Sequence, residues 1–93
     1  MSIKILSIEP VYTERGHIEA VKIKAKNEAD RDMIIGLTVE ISGRTKVAPL
    51  GKGDIKNLIL KAGEEKVCDI TISPAPRLED VFIIQISGLF IYK

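Results

Sequence analysis

The chain has 93 residues, 45% of them hydrophobic and 29% charged, with a formal net charge of +1 and a single cysteine. That length is one domain, 1–93, with one modest core. The balance of residue types excludes intrinsic disorder, the near-zero charge excludes a global field that would recruit nucleic acid or acidic lipid, and a lone Cys68 excludes an intramolecular disulfide.

The hydrophobic pattern along the chain has a period of two, the period of a strand with one buried face. Ile3, Ile5 and, after a break, Ile8 mark a first strand ending at Pro10, and Thr13–Gly16 (TERG) is a turn. In IEAVKIKAKNE, Val21, Ile23 and Ala25 alternate with Lys22, Lys24 and Lys26, which is a half-buried strand. NEADRD (27–32) is a polar turn. MIIGLTVEISG then sets Ile35, Leu37, Val39 and Ile41 on one face and Gly36, Thr38, Glu40 and Ser42 on the other. Thr45–Ala48 is a short piece that pairs locally, and LGKGD (50–54) is a loop.

Residues 54–62 admit two readings. Asp54 caps a short helix closed by Gly63, or Asn57–Leu60 is a strand followed by a turn at Lys61–Glu64. The short apolar run and its neighbours favour the strand. In EKVCDITIS, Cys68, Ile70 and Ile72 share a face, and PAPRLED (74–80) is a Pro-rich connection. The pattern predicts an all-β protein, an antiparallel sandwich of about seven strands with no substantial helix.

The stretch VKIKAKNEADRDMIIGLTVEISG, followed by LILKAGEEKVCDITI, resembles the immunoglobulin-like module called the cell-adhesion-related domain found in bacteria, and also fibronectin type III-like repeats. Asn27 and the Ala62-Gly63-Glu64 turn stand at the matching places. The resemblance spans Val21–Ile72. It departs from the family at Ala29, where Gly is usual, and in having no Trp. It implies an immunoglobulin-like sandwich. A shared fold does not carry a function with it.

No catalytic, cofactor or metal site is expected. His17 and Cys68 are each the only one of their kind, whereas a metal centre needs several converging ligands. Cys68 reads as a small buried hydrophobe, Gly51-Lys52-Gly53-Asp54 as a surface turn too short for a phosphate loop, and Glu79-Asp80 as a solvated turn. Lys22, Lys24 and Lys26 form a row spaced about 6.6 Å per step. They are the contacts a nucleic acid would use, although no aromatic rings interleave with them for stacking. With 4% aromatic residues and no Trp, a sugar platform is not expected. Ile and Lys are abundant, while Gln occurs once and Asn twice; that bias resembles thermophilic proteins.

VFIIQISGLFIYK (81–93) is the outlier. Read as a hairpin turning at Ser87-Gly88, it places Phe82, Ile84, Ile86, Leu89 and Ile91 on a core face, and Val81, Ile83, Gln85, Phe90 and Tyr92 on the other. Read as one strand with a bulge at Gly88, it is apolar on both faces just the same. A sheet with one solvated face does not have this composition. The second face calls for a cover, either a loop such as residues 43–57 or a second molecule. The expected function is a non-enzymatic structural or protein-interaction module, a subunit of a homo-oligomer or larger assembly. Weak nucleic-acid binding through the lysine row is the alternative. No stretch reaches the ~18 apolar residues of a membrane span, and MSIKILSIEP does not read as a signal peptide. The expected compartment is the cytoplasm, or the cell exterior if the chain is an excised domain.

Overall fold

The computed structural model describes residues 2–45 and 48–92. The strands are β1 (Ile3–Tyr12), β2 (Ile18–Asn27), β3 (Met33–Ser42), β4 (Gly51–Leu60), β5 (Glu65–Thr71) and β6 (Ile83–Tyr92), with one 3-10 turn at Leu78–Asp80. They form two antiparallel three-stranded sheets, ordered β1-β2-β5 and β4-β3-β6. The protein is all-β, with six strands among the described residues where about seven were expected. The short piece at Thr45–Ala48 includes Lys46 and Val47, which lie outside the described residues. Among the described residues of the segment 81–93, Ile83–Tyr92 form one strand with a bulge and not a hairpin pair.

The inward faces of the two sheets share one apolar cluster. Ile18, Val21, Ile23 and Ala25 from the first sheet meet Ile35, Leu37, Val39 and Ile41 from the second, all at or near zero exposure. Burying each large aliphatic side chain contributes about 1.5–3 kcal/mol. Four register shifts keep that alternation in step; in one, Val11 pairs with Ala20 and Tyr12 with Ile18, so Glu19 is the extra residue. Ile5 pairs with Ala25 and Ser7 with Lys24, so Leu6 is the extra residue, and this is the break visible between Ile5 and Ile8. On β4, Leu58 pairs with Ile35 and Ile55 with Leu37, so Gly36 faces both Lys56 and Asn57. Asn57 takes a left-handed φ of 58° there, a conformation Asn tolerates better than most residues. On β6 the register shifts between Gly88, opposite Thr38, and Ile86, opposite Val39.

The ambiguous segment is strand as far as Leu60, with the turn following, and the expected loop LGKGD is where β4 begins. Gly51 and Gly53 lie opposite Ile41 and Val39, so both point inward. A Cβ on Gly51 would stand 2.6 Å from the Pro74 carbonyl oxygen and 2.7 Å from Ile72, and one on Gly53 would collide with the Thr71 carbonyl oxygen. Their role is close approach of two backbones. The Lys52 N–H donates to the Ser73 carbonyl at 3.2 Å, and the Ser73 N–H donates back to Lys52 at 2.9 Å. One side of the stacked sheets is stitched shut here. Further along that side, Lys66 points inward from β5, opposite Ala25, and donates its Nζ to the Ile59 carbonyl at 2.6 Å.

Asn27 is the buried polar residue of the core. Its side-chain amide donates to the carbonyls of Arg31 (2.8 Å), Leu60 (3.0 Å) and Lys61 (3.2 Å), while its Oδ1 accepts from the Ala29 N–H at 2.9 Å. Its backbone N–H donates to Glu64 at 2.9 Å. One residue thereby joins the end of β2, the 27–32 turn, the end of β4 and the turn into β5.

Asn27→Ala removes the partner of one buried and two partly buried carbonyls at once, so we expect it to lower the unfolding free energy by about 3 kcal/mol in urea titrations. Gly53→Ala forces the β4 and β5 backbones apart and is expected to cost about 2 kcal/mol in the same measurement.

Candidate interaction surface

From Val81 to Tyr92 there is no charged side chain. β6 nevertheless lies at the end of its sheet, paired with β3 on one side only. Ile84, Ile86 and Leu89 face inward and pack against the core, yet each is only half-buried. Ile91, also on the inward side opposite Ile35, is exposed. Ile83, Gln85, Phe90 and Tyr92 face outward and are exposed, as the sequence suggested.

Val81 departs from that expectation. It is half-buried and packs on the core, whereas Phe82, expected inside, is exposed with the Arg44 guanidinium 5.2 Å from its ring centroid. The 3-10 turn at Leu78–Asp80 ends in a hydrogen bond from the Val81 N–H to the Leu78 carbonyl at 3.1 Å, and the strand starts only at Ile83. Two-residue alternation therefore does not extend back to Val81. Residues 51–57, part of the loop that could have covered the outer face, are instead in β4 on the far side of β3.

Across the outer face of this sheet, Ile59, Ile34 and Tyr92 form one cross-strand row, and Gly36 and Phe90 the next. Beyond them come Asp54, Thr38 and Gly88, then Lys52, Glu40 and Gln85. The face is apolar at one end and polar in the middle, and the exposed Ile83 stands opposite Ser42 at the far end. Two glycines make room for its rings. A Cβ on Gly36 would stand 2.8 Å from the Tyr92 hydroxyl, and one on Gly88 would stand 3.1 Å from the Phe90 ring. The apolar end opens into a recess of about 720 Å³ lined by Met33, Ile34, Ile59, Ile91 and Tyr92, with Arg31 and Asp32 at its rim.

The other open edge is built differently. β1 carries Lys4, Glu9 and Pro10, the charges and the missing donor that discourage edge pairing. The lysine row lies on the outer face of β2. Lys22 sits between Glu9 and Asp69, Lys24 between Ser7 and Val67, and Lys26 between Lys4 and Glu65. The row is thus interleaved with three carboxylates, which reduces the local positive potential.

The remaining candidates do not converge. The His17 backbone pairs with Arg77 at a loop bridge, and its N–H donates to Thr13 Oγ1 at 3.1 Å. Cys68 is buried on the inward face with Ile70 and Ile72. Among the described residues, no three His, Cys, Asp or Glu side chains are grouped as metal ligands, and no helix is long and apolar enough to cross a membrane. No family model, no curated protein and no solved structure matches this chain.

Burial, reinforced by the neighbouring Asp69 carboxylate, raises the Cys68 thiol above its ordinary value of 9.0. The thiolate is the reactive form, so native protein is expected to label slowly with maleimide at neutral pH and rapidly once denatured. The same shift makes the folded state favour the protonated thiol. Its contribution to stability is complete below the unfolded-state pKa and is lost as pH rises through the folded value.

Proposed function

We propose that the protein is a non-enzymatic structural or protein-interaction module that binds through β6, as a subunit of a homo-oligomer or larger assembly. The observation that carries this reading is the uncharged, ten-residue edge strand whose outward Ile83, Phe90 and Tyr92 are left in solvent while its inward residues are half-covered. Soluble proteins normally blunt such an edge with charge, proline or a covering loop, and contiguous apolar exposure marks an interaction site.

An immunoglobulin-like assignment of the fold supports the same reading. In that scheme β1, β2 and β5 take the places of strands A, B and E, and β4, β3 and β6 those of C′, C and F. Strand G, which in the family lies beside F, then has no counterpart among the described residues. The free edge of β6 is where it would pair.

The test is mass in solution. The chain should run heavier than its 10.3 kDa monomer in light scattering. Ile83→Lys combined with Phe90→Glu should return it to a monomer that still unfolds cooperatively, with a thermal midpoint no longer dependent on protein concentration. A monomer at every concentration, or an oligomer indifferent to the double change, would overturn the reading.

A further inference from the structure

The β6 edge has the properties of a strand that pairs with itself. Ile83, Gln85, Phe90 and Tyr92 face out, and Ile84, Ile86, Leu89 and Ile91 face in. The bulge at Ser87-Gly88 doubles one outward position, so the in-and-out pattern reads the same in both directions from that point. Placed antiparallel to a copy of itself about a two-fold axis at the bulge, the strand sets Ile83 against the partner's Tyr92 and Gln85 against the partner's Phe90 on the outer face. On the inner face Ile84 meets the partner's Ile91, and Ile86 meets the partner's Leu89. Moving the axis by one residue along the strand sets inward residues against outward ones on at least one rung.

We propose that the occupant of the β6 edge is a second copy of this chain, paired in this register into one continuous six-stranded sheet ordered β4-β3-β6 and then its two-fold mate. The proposal rests on the reading of β6 as an interaction surface and names the partner and the geometry.

Three further observations bear on it. With no charge between Val81 and Tyr92, self-pairing meets no like-charge repulsion, whereas β1, with Lys4, Glu9 and Pro10, is guarded. The exposed area is of the right order. Phe82, Ile83, Phe90, Ile91 and Tyr92 leave 56, 42, 54, 46 and 40% of their surface in solvent; at ~200 Å² per residue, two copies offer roughly 1,000 Å² from these residues alone, near the lower bound of a specific interface. The ends also fit. Antiparallel pairing brings the exposed Phe82 of one copy to the end of the strand where the other copy's recess, beside Ile91 and Tyr92, lies open. An edge bulge ordinarily discourages pairing; here it lies on the symmetry axis, so the rungs on both sides stay in step.

The experiment uses the full chain with Cys68→Ala to remove the native thiol. Gln85→Cys with Phe90→Cys places directly opposed positions about 4.5–5.5 Å apart at Cβ, within disulfide reach after small adjustment. Ile83→Cys with Phe90→Cys keeps the face and misses the register by two residues. Both variants are checked for an unchanged thermal midpoint, and the unmodified chain is sedimented alongside. The expected result is a dimer of the unmodified chain, and a covalent dimer from the first pair on oxidation but not from the second. A dimer that Ile83→Lys with Phe90→Glu dissociates, but in which the second pair cross-links as readily as the first, overturns the register and leaves the interaction surface standing. An unmodified chain that sediments as a monomer overturns self-pairing outright.

Discussion

The side-chain amide of Asn27 holds the two sheets in their relative position. Apolar contact between sheets is non-directional, and aliphatic faces such as those of Ile23, Ile35 and Leu37 could slide over one another at little cost. A carboxamide that must satisfy a donor to Leu60 and Lys61, a donor to Arg31 and an acceptor to Ala29 tolerates no such slide. In a dry interior any displacement leaves a polar group without a partner. The same residue ends β2, orders the reversal into β3 and anchors the end of β4. The stacking of the sheets and two of the four turns between consecutive strands up to β5 depend on it.

From that anchor the molecule divides into a closed and an open side. On the closed side, β4 and β5 come together through Gly51 and Gly53, the Lys52–Ser73 bridge and the inward Lys66. On the open side, β1 and β6 are the outer strands of their sheets. The two differ in charge. β1 sets Lys4, Glu9 and Pro10 among its exposed Leu6, Ile8 and Tyr12, while β6 carries hydrophobic residues on both faces and no charge. Asymmetry of this kind is what distinguishes an edge kept apart from other chains from one suited to meeting them.

Most of the fold was legible in the sequence because β2 and β3 alternate almost without fault. Val21, Ile23 and Ala25 against three lysines, and Ile35 to Ile41 against small or polar residues, admit one orientation each. Even the break after Ile5 carried information, since it is a bulge. The failures came where a residue type has two physical uses. Gly51 and Gly53 suggested a loop because glycine permits unusual backbone angles, but neither has a positive φ; they are bare so that another backbone can approach. Their spacing of two, matching the strand period, was the available signal. Val81 and Phe82 exchanged places because a 3-10 turn resets the phase of alternation just before β6 begins. The apolar face at Ile83, Phe90 and Tyr92 was visible in composition alone. Its continuation across Ile34 and Ile59 depends on cross-strand register, which no single segment contains.

The position of β6 also determines the order in which the molecule can assemble. β1 pairs with β2, and β3 with β4, each with the next strand along the chain, so each hairpin can form from adjacent chain. β5 and β6 must reach back to β2 and β3 across intervening strands, a non-local step that slows folding because loop closure precedes the reward of contact. During synthesis, two hairpins with aliphatic inner faces are therefore present before the segments that complete their sheets have been made. β6 is thus a condition for the native topology as well as an exposed apolar edge.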